Sequence, residues 1–262
     1  MSKAIWWLIF IFGCGLAALI AYYALPQIKP ERIAQPTAPA APQPPVPAQP
    51  QIRYPVTQPP EEKPLPALDV SDSTMKNALG GLFSDQTLIE LFQLQDFVRR
   101  IVATVDNLPR NKVALRLIPV KRAGGKFLVA GKDGSLAISA LNAARYALHL
   151  RLAAAIDTGK LVALYIHFYP LFQQAYQELG YPKGYFNDRL VDVIDHLLAA
   201  PEVKAPVKLV QPNVFYLFAD PELEARSAGH KLLMRVGSDN ASMIKAKLSD
   251  IRSELTRQAP NR

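Results

Sequence analysis

The sequence predicts a mainly α-helical fold class: a single N-terminal transmembrane helix, a Pro-rich linker, and then an all-α or nearly all-α globular domain. Three observations predict it: an uncharged apolar run at residues 4–25, a proline-rich stretch at residues 26–68, and helical spacing of apolar side chains over residues 69–257. Residues 258–262 are expected to fray as a polar tail. Half of the 262 residues are hydrophobic, which excludes a wholly disordered chain.

The apolar run at residues 4–25 is long enough to cross a bilayer. Its 22 uncharged residues would reach about 33 Å as a helix, and a hydrocarbon core is about 30 Å thick. Trp6 and Trp7 lie at one end and Tyr22 and Tyr23 at the other, as in the aromatic belts of spanning helices. A cleaved signal peptide is the alternative, but its apolar core runs about 7–15 residues. We therefore expect an uncleaved signal-anchor.

Membrane orientation rests on weaker signals. The positive charges that flank the run are nearly balanced, with Lys3 before it and Lys29 and Arg32 after it. A short N-terminal flank favours a cytoplasmic N-terminus, which would place the domain on the other side of the membrane. The single cysteine, Cys14, lies inside the run. This excludes an internal disulfide framework and a cysteine-based metal site.

The stretch at residues 26–68 is predicted to be a linker. Fourteen of its residues are proline, and proline fixes φ and removes the backbone donor. The stretch is therefore expected to be polyproline-II-like and semi-rigid, and to act as a spacer. The alternative is a ligand for a proline-binding groove, but no PxxP motif with basic flanks favours it.

Two early helices are predicted to begin at Ser71 and Ser84, which are suitable N-cap residues. Apolar residues then recur at 3-4-3-4-3 spacing from Leu91 to Leu108 and predict one amphipathic helix. Pro109 is expected to stop this helix, and Asn107 is able to take a left-handed cap.

The following region, residues 110–134, is rich in glycine and predicts a loop with short extended pieces near 115–120 and 127–130. A long helix is then expected over about 135–157. Its apolar stripe consists of Ile138, Leu141, Leu148, Leu152 and Ala155. Arg145 interrupts the stripe, and an arginine in a core position needs a carboxylate or several carbonyls as partners.

The second half of the domain predicts a series of helices with defined ends. One covers about 158–179, and Pro170 is expected to kink or divide it because proline removes a helical hydrogen bond. Gly180 is expected to end it. The remaining expectations are a helix at 186–199, an N-cap at Asp220 followed by Pro221, helix starts at Ser227 and Ser238, and inward-facing Ile244, Leu248, Ile251 and Leu255 on the last helix.

Positive charge is concentrated in residues 99–132, where nine Lys and Arg residues face one acid, Asp106. Such a run predicts an anionic partner: lipid headgroups, an acidic glycan or an acidic protein surface. The alternative is pairing within the domain, for which Asp188, Asp192 and Asp195 are candidates because they share one face of a helix. The residues of the candidate surface are Arg110, Lys112, Arg116, Lys121, Arg122 and Lys126.

Catalytic signals are weak. The sequence lacks a G-x-S-x-G motif, a P-loop, an H-E-x-x-H motif and a dinucleotide fingerprint. The D-x-x-D-H sequence that ends at His196 places carboxylates and an imidazole on one helix, but the other histidines lie on separate elements. We therefore expect no catalytic, cofactor-binding or metal-binding residue and no cofactor. Paired carboxylates for glycan hydrolysis stay open. The tyrosines between residues 146 and 185 either line a groove or are half-buried core residues.

The domain resembles a proteobacterial family known as domain of unknown function 3014. The resemblance rests on six stretches in order: FVRRIVATVDNLPR at 97–110, ARYALHL at 144–150, YPLFQQAYQELGYP at 169–182, FNDRLVDVIDHLLAAPE at 186–202, FADPELEARSAGHKLLMRVG at 218–237 and KAKLSDIRSEL at 245–255. The resemblance implies a bacterial cell-envelope protein and carries over no activity, cofactor or catalytic residue.

Three functions are compatible with this organisation. The first is a protein-interaction or scaffolding module, held at the bacterial inner membrane by a single pass with its soluble domain in the periplasm, and bound to an envelope protein. The second is an enzyme that acts on the cell wall. The third is a binder of anionic lipid or glycan through residues 110–126. Nucleic acid is disfavoured as a partner because the domain is expected outside the cytoplasm.

Overall fold

The computed structural model describes residues 51–58, 64–83, 85–132 and 134–257. The expected membrane anchor at 4–25, the expected N-cap Ser84 and the expected tail at 258–262 lie outside these ranges. Within them, no helix combines the length and the apolar character needed to span a membrane.

Helices dominate the described residues, so the prediction of a mainly helical domain is confirmed. The α-helices are α1 (Asp72–Gly80), α2 (Phe97–Asn107), α3 (Ala147–Ala155), α4 (Thr158–His167), α5 (Tyr169–Glu178), α6 (Phe186–Leu198), α7 (Pro221–Glu224), α8 (Ala228–Arg235) and α9 (Ser238–Arg257). Short 3-10 helices lie at Leu68–Val70, Gln86–Leu91, Leu115–Leu117 and Ala140–Tyr146.

Four two-residue strands form the β structure of the described residues. These are β1 (Val129–Ala130), β2 (Ala137–Ile138), β3 (Leu209–Val210) and β4 (Leu217–Phe218). The pairs β1–β2 and β3–β4 are antiparallel. An antiparallel bridge between Ala137 and Lys208 connects the two hairpins. The extended piece expected near 127–130 is therefore present as β1, whereas the piece expected at 115–120 begins as a 3-10 helix.

The helix expected over 91–108 is shorter at its start than predicted. Phe92 forms a β-bridge with Val120, and Asp96 takes a left-handed conformation with φ of 51°. The carboxylate of Asp72 then accepts the backbone N–H groups of Asp96, at 2.8 Å, and Phe97, at 3.0 Å. Because a side chain from α1 binds these free donors, α2 begins at Phe97.

The predicted left-handed cap at Asn107 is wrong. Asn107 remains helical and its amide donates to the carbonyl of Ala103 at 2.7 Å. Leu108 forms the C-cap in a right-handed conformation. The amide bond within the helix removes the need for a left-handed turn, and Pro109 still follows the last helical turn.

The long helix expected over 135–157 is wrong. The chain there forms β2, then the 3-10 helix at 140–146, and only then α3. The Ser139 hydroxyl accepts the Leu141 N–H at 3.3 Å and so starts a new turn after the strand. Leu141 and Leu148 are 72% and 42% exposed, while Leu152 is buried. The sequence spacing had suggested one face, but the change of backbone conformation separates its members.

Several expected boundaries in the second half are confirmed. Phe168 separates α4 from α5, and Pro170 lies in the first turn of α5. Gly180 follows α5 with φ of 115°. Asp220 and Ser227 cap α7 and α8 by accepting backbone N–H groups. Ser71 is the N-cap of α1 as expected, but its hydroxyl donates to the Leu68 carbonyl at 2.8 Å instead of accepting a backbone N–H.

The domain includes residues that precede its expected start at residue 69. Val56 donates its backbone N–H to the Tyr185 hydroxyl at 2.7 Å, and Asn187 donates its side-chain amide to the Tyr54 carbonyl at 2.9 Å. Leu68 is 4% exposed and belongs to the largest apolar cluster. The C-terminal part of the predicted linker therefore packs on the domain.

A buried carboxylate, Asp106 on α2, is the centre of a polar network. Its side chain is 3% exposed and accepts hydrogen bonds from Arg110 at 2.6 Å, Arg189 at 3.1 Å and the Tyr181 hydroxyl at 3.2 Å. Arg189 also donates to the Asp106 carbonyl at 2.8 Å. These bonds connect α2 to the start of α6 and to the loop after α5.

An apolar cavity of about 270 Å³ lies between two apolar clusters. The first includes residues of α2 and α5, and the second includes residues of α4, α6 and α9. The cavity is partly open to the surface, and its lining is almost wholly apolar.

We predict that Asp106→Asn lowers the free energy of unfolding by about 3 kcal/mol, because the change leaves Arg189 without its buried counter-charge. Urea denaturation followed by circular dichroism measures this. Asp69→Asn is the matched control. Asp69 also pairs with an arginine, Arg99, but its side chain is 81% exposed, and its loss should cost less than about 1 kcal/mol. Equal effects of the two substitutions would contradict the central role of Asp106.

Candidate anion-binding surface

Of the six candidate cations, one forms an ion pair and five have no acidic partner among the described residues. All six side chains are exposed. Within the described ranges, five have no carboxylate at ion-pair distance: Lys112, Arg116, Lys121, Arg122 and Lys126. Arg110 differs from them, because its guanidinium is bound to Asp106 at 2.6 Å and to the Tyr181 hydroxyl at 2.9 Å. We call the chain from 111 to 126, which carries Lys112, Arg116, Lys121, Arg122 and Lys126, the basic segment.

The aspartates proposed as internal partners of these cations pair with other arginines. Asp192 accepts from Arg53 at 2.6 Å, and Asp188 accepts the backbone N–H groups of Arg53 and Tyr54. Asp195 binds Arg252 on α9. The alternative in which these aspartates on α6 neutralise the basic segment is therefore wrong.

The backbone of the basic segment is held in place by cationic and imidazole side chains beneath it. Arg145 donates to the carbonyls of Ala123, Gly124 and Gly125 at 3.0–3.4 Å. The expectation that Arg145 needs several carbonyls is thus confirmed. His149 contacts the Lys121 carbonyl at 2.6 Å. These bonds fix one compact turn that carries Lys121, Arg122 and Lys126.

The first half of the basic segment is fixed in a similar way against α2. Arg100 donates to the carbonyl of Arg116 and to that of Gln95. The Thr104 hydroxyl donates to the Leu117 carbonyl at 3.1 Å. Since uncharged backbone carbonyls partner Arg100 and Arg145, this ordering of the segment adds no negative charge beside the exposed cations.

Exposed apolar side chains lie next to the turn that Arg145 holds. Leu128 is 38% exposed and directly follows Phe127, whose ring lies 6.0 Å from that of Tyr216. Tyr216 itself follows the tip of the β3–β4 hairpin, where Val214 and Phe215 are 79% and 76% exposed. Ser139, two residues before the exposed Leu141, donates its N–H to the Leu128 carbonyl. Four exposed apolar residues, Leu128, Leu141, Val214 and Phe215, therefore lie on segments that follow or contact the chain just after the basic segment.

Sequence reasoning missed these apolar residues. Leu141 counted as part of a core-facing stripe, and Val214 and Phe215 are indistinguishable from strand residues in the sequence. The signal that was available is the Gln211-Pro212-Asn213 turn, which predicts that the following residues lie at a hairpin tip. Their exposure depends on how far the hairpin extends from the domain, which local sequence does not encode.

A second polar feature joins α6 to α8. The rings of His196 and His230 stack with centroids 4.1 Å apart. His196 Nε2 lies 2.8 Å from the Ser227 hydroxyl oxygen, and His230 Nε2 donates to the His196 carbonyl at 2.6 Å. Burial, followed by the nearby charges of His230 and Arg189, lowers the pKa of His196. The neutral form of the His196 imidazole is therefore favoured at pH 7.

The D-x-x-D-H sequence does not form a metal centre in this arrangement. Its two acids, Asp192 and Asp195, bind Arg53 and Arg252, and His196 contacts Ser227 and His230. Among the residues that the structure describes, no group of three or more His, Cys, Asp and Glu side chains is arranged to hold a metal ion.

Five of the six tyrosines between residues 146 and 185 belong to the largest apolar cluster or pack against it: Tyr165, Tyr169, Tyr176, Tyr181 and Tyr185. The Tyr165, Tyr169 and Tyr176 rings contact Phe172 or Phe186 or each other, and burial raises the pKa of all three hydroxyls. The Tyr165 hydroxyl donates to Asn187 at 3.1 Å, and that of Tyr169 donates to Gln173 at 2.9 Å. Satisfied hydroxyls within an apolar cluster favour packing over a ligand groove.

Comparison with known proteins adds a family assignment and no activity. The model of the family described as protein of unknown function (DUF3014) matches residues 97–252. This match includes α2 to α8, the basic segment and most of α9. No curated protein and no solved structure shows a significant match.

We predict that Arg145→Ala increases trypsin cleavage after Lys121, Arg122 and Lys126 several-fold, because it releases three backbone carbonyls and makes local opening easier. Limited proteolysis with mass spectrometry of the fragments measures the rate. Arg226→Ala is the control, since Arg226 is exposed and lies in another loop. Unchanged cleavage in Arg145→Ala would show that the turn is held by other contacts.

We also predict that the domain loses stability as the pH falls from about 6.5. The folded-state pKa of His196 is lowered, so the unfolded chain binds more protons between that pKa and the unfolded value of about 6.5. Stability is therefore complete above this window and declines within it. Melting temperatures between pH 5 and pH 7.5 measure the effect. His196→Gln should flatten the profile, and a slope unchanged by this substitution would assign the effect to other groups.

Proposed function

We propose that this chain, which belongs to the DUF3014 family, is a binding module that docks on the anionic surface of a lipid bilayer through the basic segment. The observation that carries the proposal is a turn held by Arg145 that has three exposed cations, Lys121, Arg122 and Lys126, and that is followed along the chain by the exposed Leu128. This combination matches the two parts of a membrane surface, phosphate groups outside and hydrocarbon beneath.

The charges supply attraction of useful size. Each Lys or Arg near an anionic bilayer contributes about 1 kcal/mol, and the contribution decays within a Debye length. The basic segment has five such residues without carboxylate partners among the described residues. An acidic protein would also attract them, but it would not by itself account for exposed Val214 and Phe215 at a hairpin tip.

The turn is suited to binding because it is already ordered. Arg145 and His149 hold its backbone, so little conformational entropy remains to be lost when the cations meet phosphates. In a disordered basic loop the same charges would bind at a larger entropic cost. This arrangement favours a dedicated surface over a loop that is merely solvated.

The predicted membrane anchor fits this role. A single pass at residues 4–25 with a semi-rigid linker would hold the domain at high effective concentration near a bilayer, and weak individual contacts would then suffice. We propose the periplasmic side of a bacterial inner membrane as the location. The broader expectation of a protein-interaction module remains as an outcome of the vesicle-binding experiment.

We predict that the domain at residues 49–262, which forms one compact unit, binds vesicles that contain phosphatidylglycerol and does not bind vesicles of phosphatidylcholine alone. Replacing Lys121, Arg122 and Lys126 with serine should weaken binding at least tenfold, since about 1 kcal/mol is lost per cation. Binding of the wild type should weaken with added salt. Co-sedimentation over a range of lipid concentrations measures the affinity.

The charge-matched control replaces Lys160, Lys183 and Arg226, three exposed cations outside the basic segment, with serine. This variant should retain affinity within about threefold. Replacing Val214 and Phe215 with serine should weaken binding without changing its salt dependence. Failure of the wild-type domain to bind vesicles that contain phosphatidylglycerol would refute the proposal. Binding to acidic polypeptide in that case would favour a protein partner.

A further inference from the structure

The cavity between the two apolar clusters has the chemistry of a ligand site. Its lining comes from α1, α2, α4, α5, α6 and α9 and from the chain at Leu82, Phe92 and Ile156. Tyr165 is the one lining residue with a hydroxyl, and this hydroxyl donates to Asn187 at 3.1 Å. The lining therefore offers no free hydrogen-bonding group among the described residues.

Size and polarity together select the class of occupant. An apolar cavity of about 150 Å³ in a protein core stays dry and takes up benzene. This cavity has a volume of about 270 Å³. Water needs two to four polar partners to be stable in such a place, so an apolar molecule is favoured over solvent.

A cation is bonded to the backbone of one of the residues that line the cavity. Lys247 on α9 donates to the carbonyl of Ile156 at 2.9 Å and to the Thr158 hydroxyl at 3.4 Å. Ile156 also lines the cavity, so the ammonium group lies beside the lining. Lysine has three donors, and the part of the chain that the structure describes places no carboxylate at ion-pair distance from this one. The third N–H is available to an anionic group.

We propose that the cavity binds a single alkyl chain with an anionic head group, the chain inside the cavity and the head group at Lys247. One anionic end fits Lys247, and a ligand with further polar groups would leave them unsatisfied inside the apolar cavity. A free fatty acid and the acyl chain of a phospholipid share this chemistry. The site is separate from the basic segment and does not depend on the function proposed for it.

The test uses the full chain in its membrane and a fatty acid with a photoreactive group in mid-chain. After irradiation, digestion and mass spectrometry, we expect labelled peptides from α4, residues 158–167, and from α9, residues 238–257. Ile251→Trp should reduce labelling at least fivefold, because the ring of tryptophan fills the cavity. Met243→Trp is the matched control, since Met243 lies on the same helix and is 53% exposed.

A second variant guards against misfolding of the first. Lys247→Gln leaves the cavity intact and removes the charge. Labelling by the fatty acid should fall about tenfold, as expected when a hydrogen bond to a charged group is lost, and labelling by the matching fatty alcohol should be unchanged. Mass spectrometry of an organic extract of the purified chain then distinguishes a bound fatty acid from a bound phospholipid.

The proposal is overturned when labelling of α4 and α9 is absent, or when it is the same in wild type, Ile251→Trp and Lys247→Gln. Absence of labelling would also be the result if another segment of this chain filled the cavity. Vesicle binding through the basic segment is measured separately, so the two proposals succeed or fail on different observations.

Discussion

The buried carboxylate of Asp106 sets the geometry on which the rest of the domain depends. It is almost fully removed from water and is compensated by Arg110, Arg189 and Tyr181, which belong to three separate parts of the chain. A buried charge requires such partners, so α2 and α6 and the loop after α5 have little freedom to move apart. The same network pairs Arg110, whose side chain stays exposed, with Asp106, so the cations without a carboxylate partner among the described residues begin beyond it.

A common principle connects the core network with the surface. In the core, arginines satisfy a carboxylate; below the basic segment, Arg100 and Arg145 satisfy backbone carbonyls instead. The second solution orders a loop without introducing negative charge. The positive electrostatic potential of the exposed lysines and arginines is therefore not reduced by this ordering, and the domain presents positive charge on a fixed backbone. This difference in hydrogen-bond acceptors is what makes the surface available to an anionic partner.

The sequence predicted the helical class and most boundaries after residue 158, because these depend on local signals such as Pro170, Gly180 and the caps at Asp220 and Ser227. It failed where distant residues decide. The Asp72 carboxylate starts α2 from another helix, and the bridge between Ala137 and Lys208 favours a strand where spacing suggested a helix. The concentration of basic residues could be read directly from the sequence. The exposed apolar hairpin tip and the cavity arise from tertiary packing, and no periodic pattern in the sequence predicts them.

The contacts made by residues 51–58 have a mechanical consequence. Arg53, Tyr54 and Val56 are bonded to Asp188, Asn187 and Tyr185 across sequence separations of 129 to 135 residues. Any tension that travels along the preceding chain reaches the domain first at these bonds, at the beginning of α6, where Asp188 and Arg189 are neighbours. A pull from the N-terminal side would thus be transmitted to the helix that also carries the buried ion pair, and the strength of that junction would determine the load at which the domain begins to open.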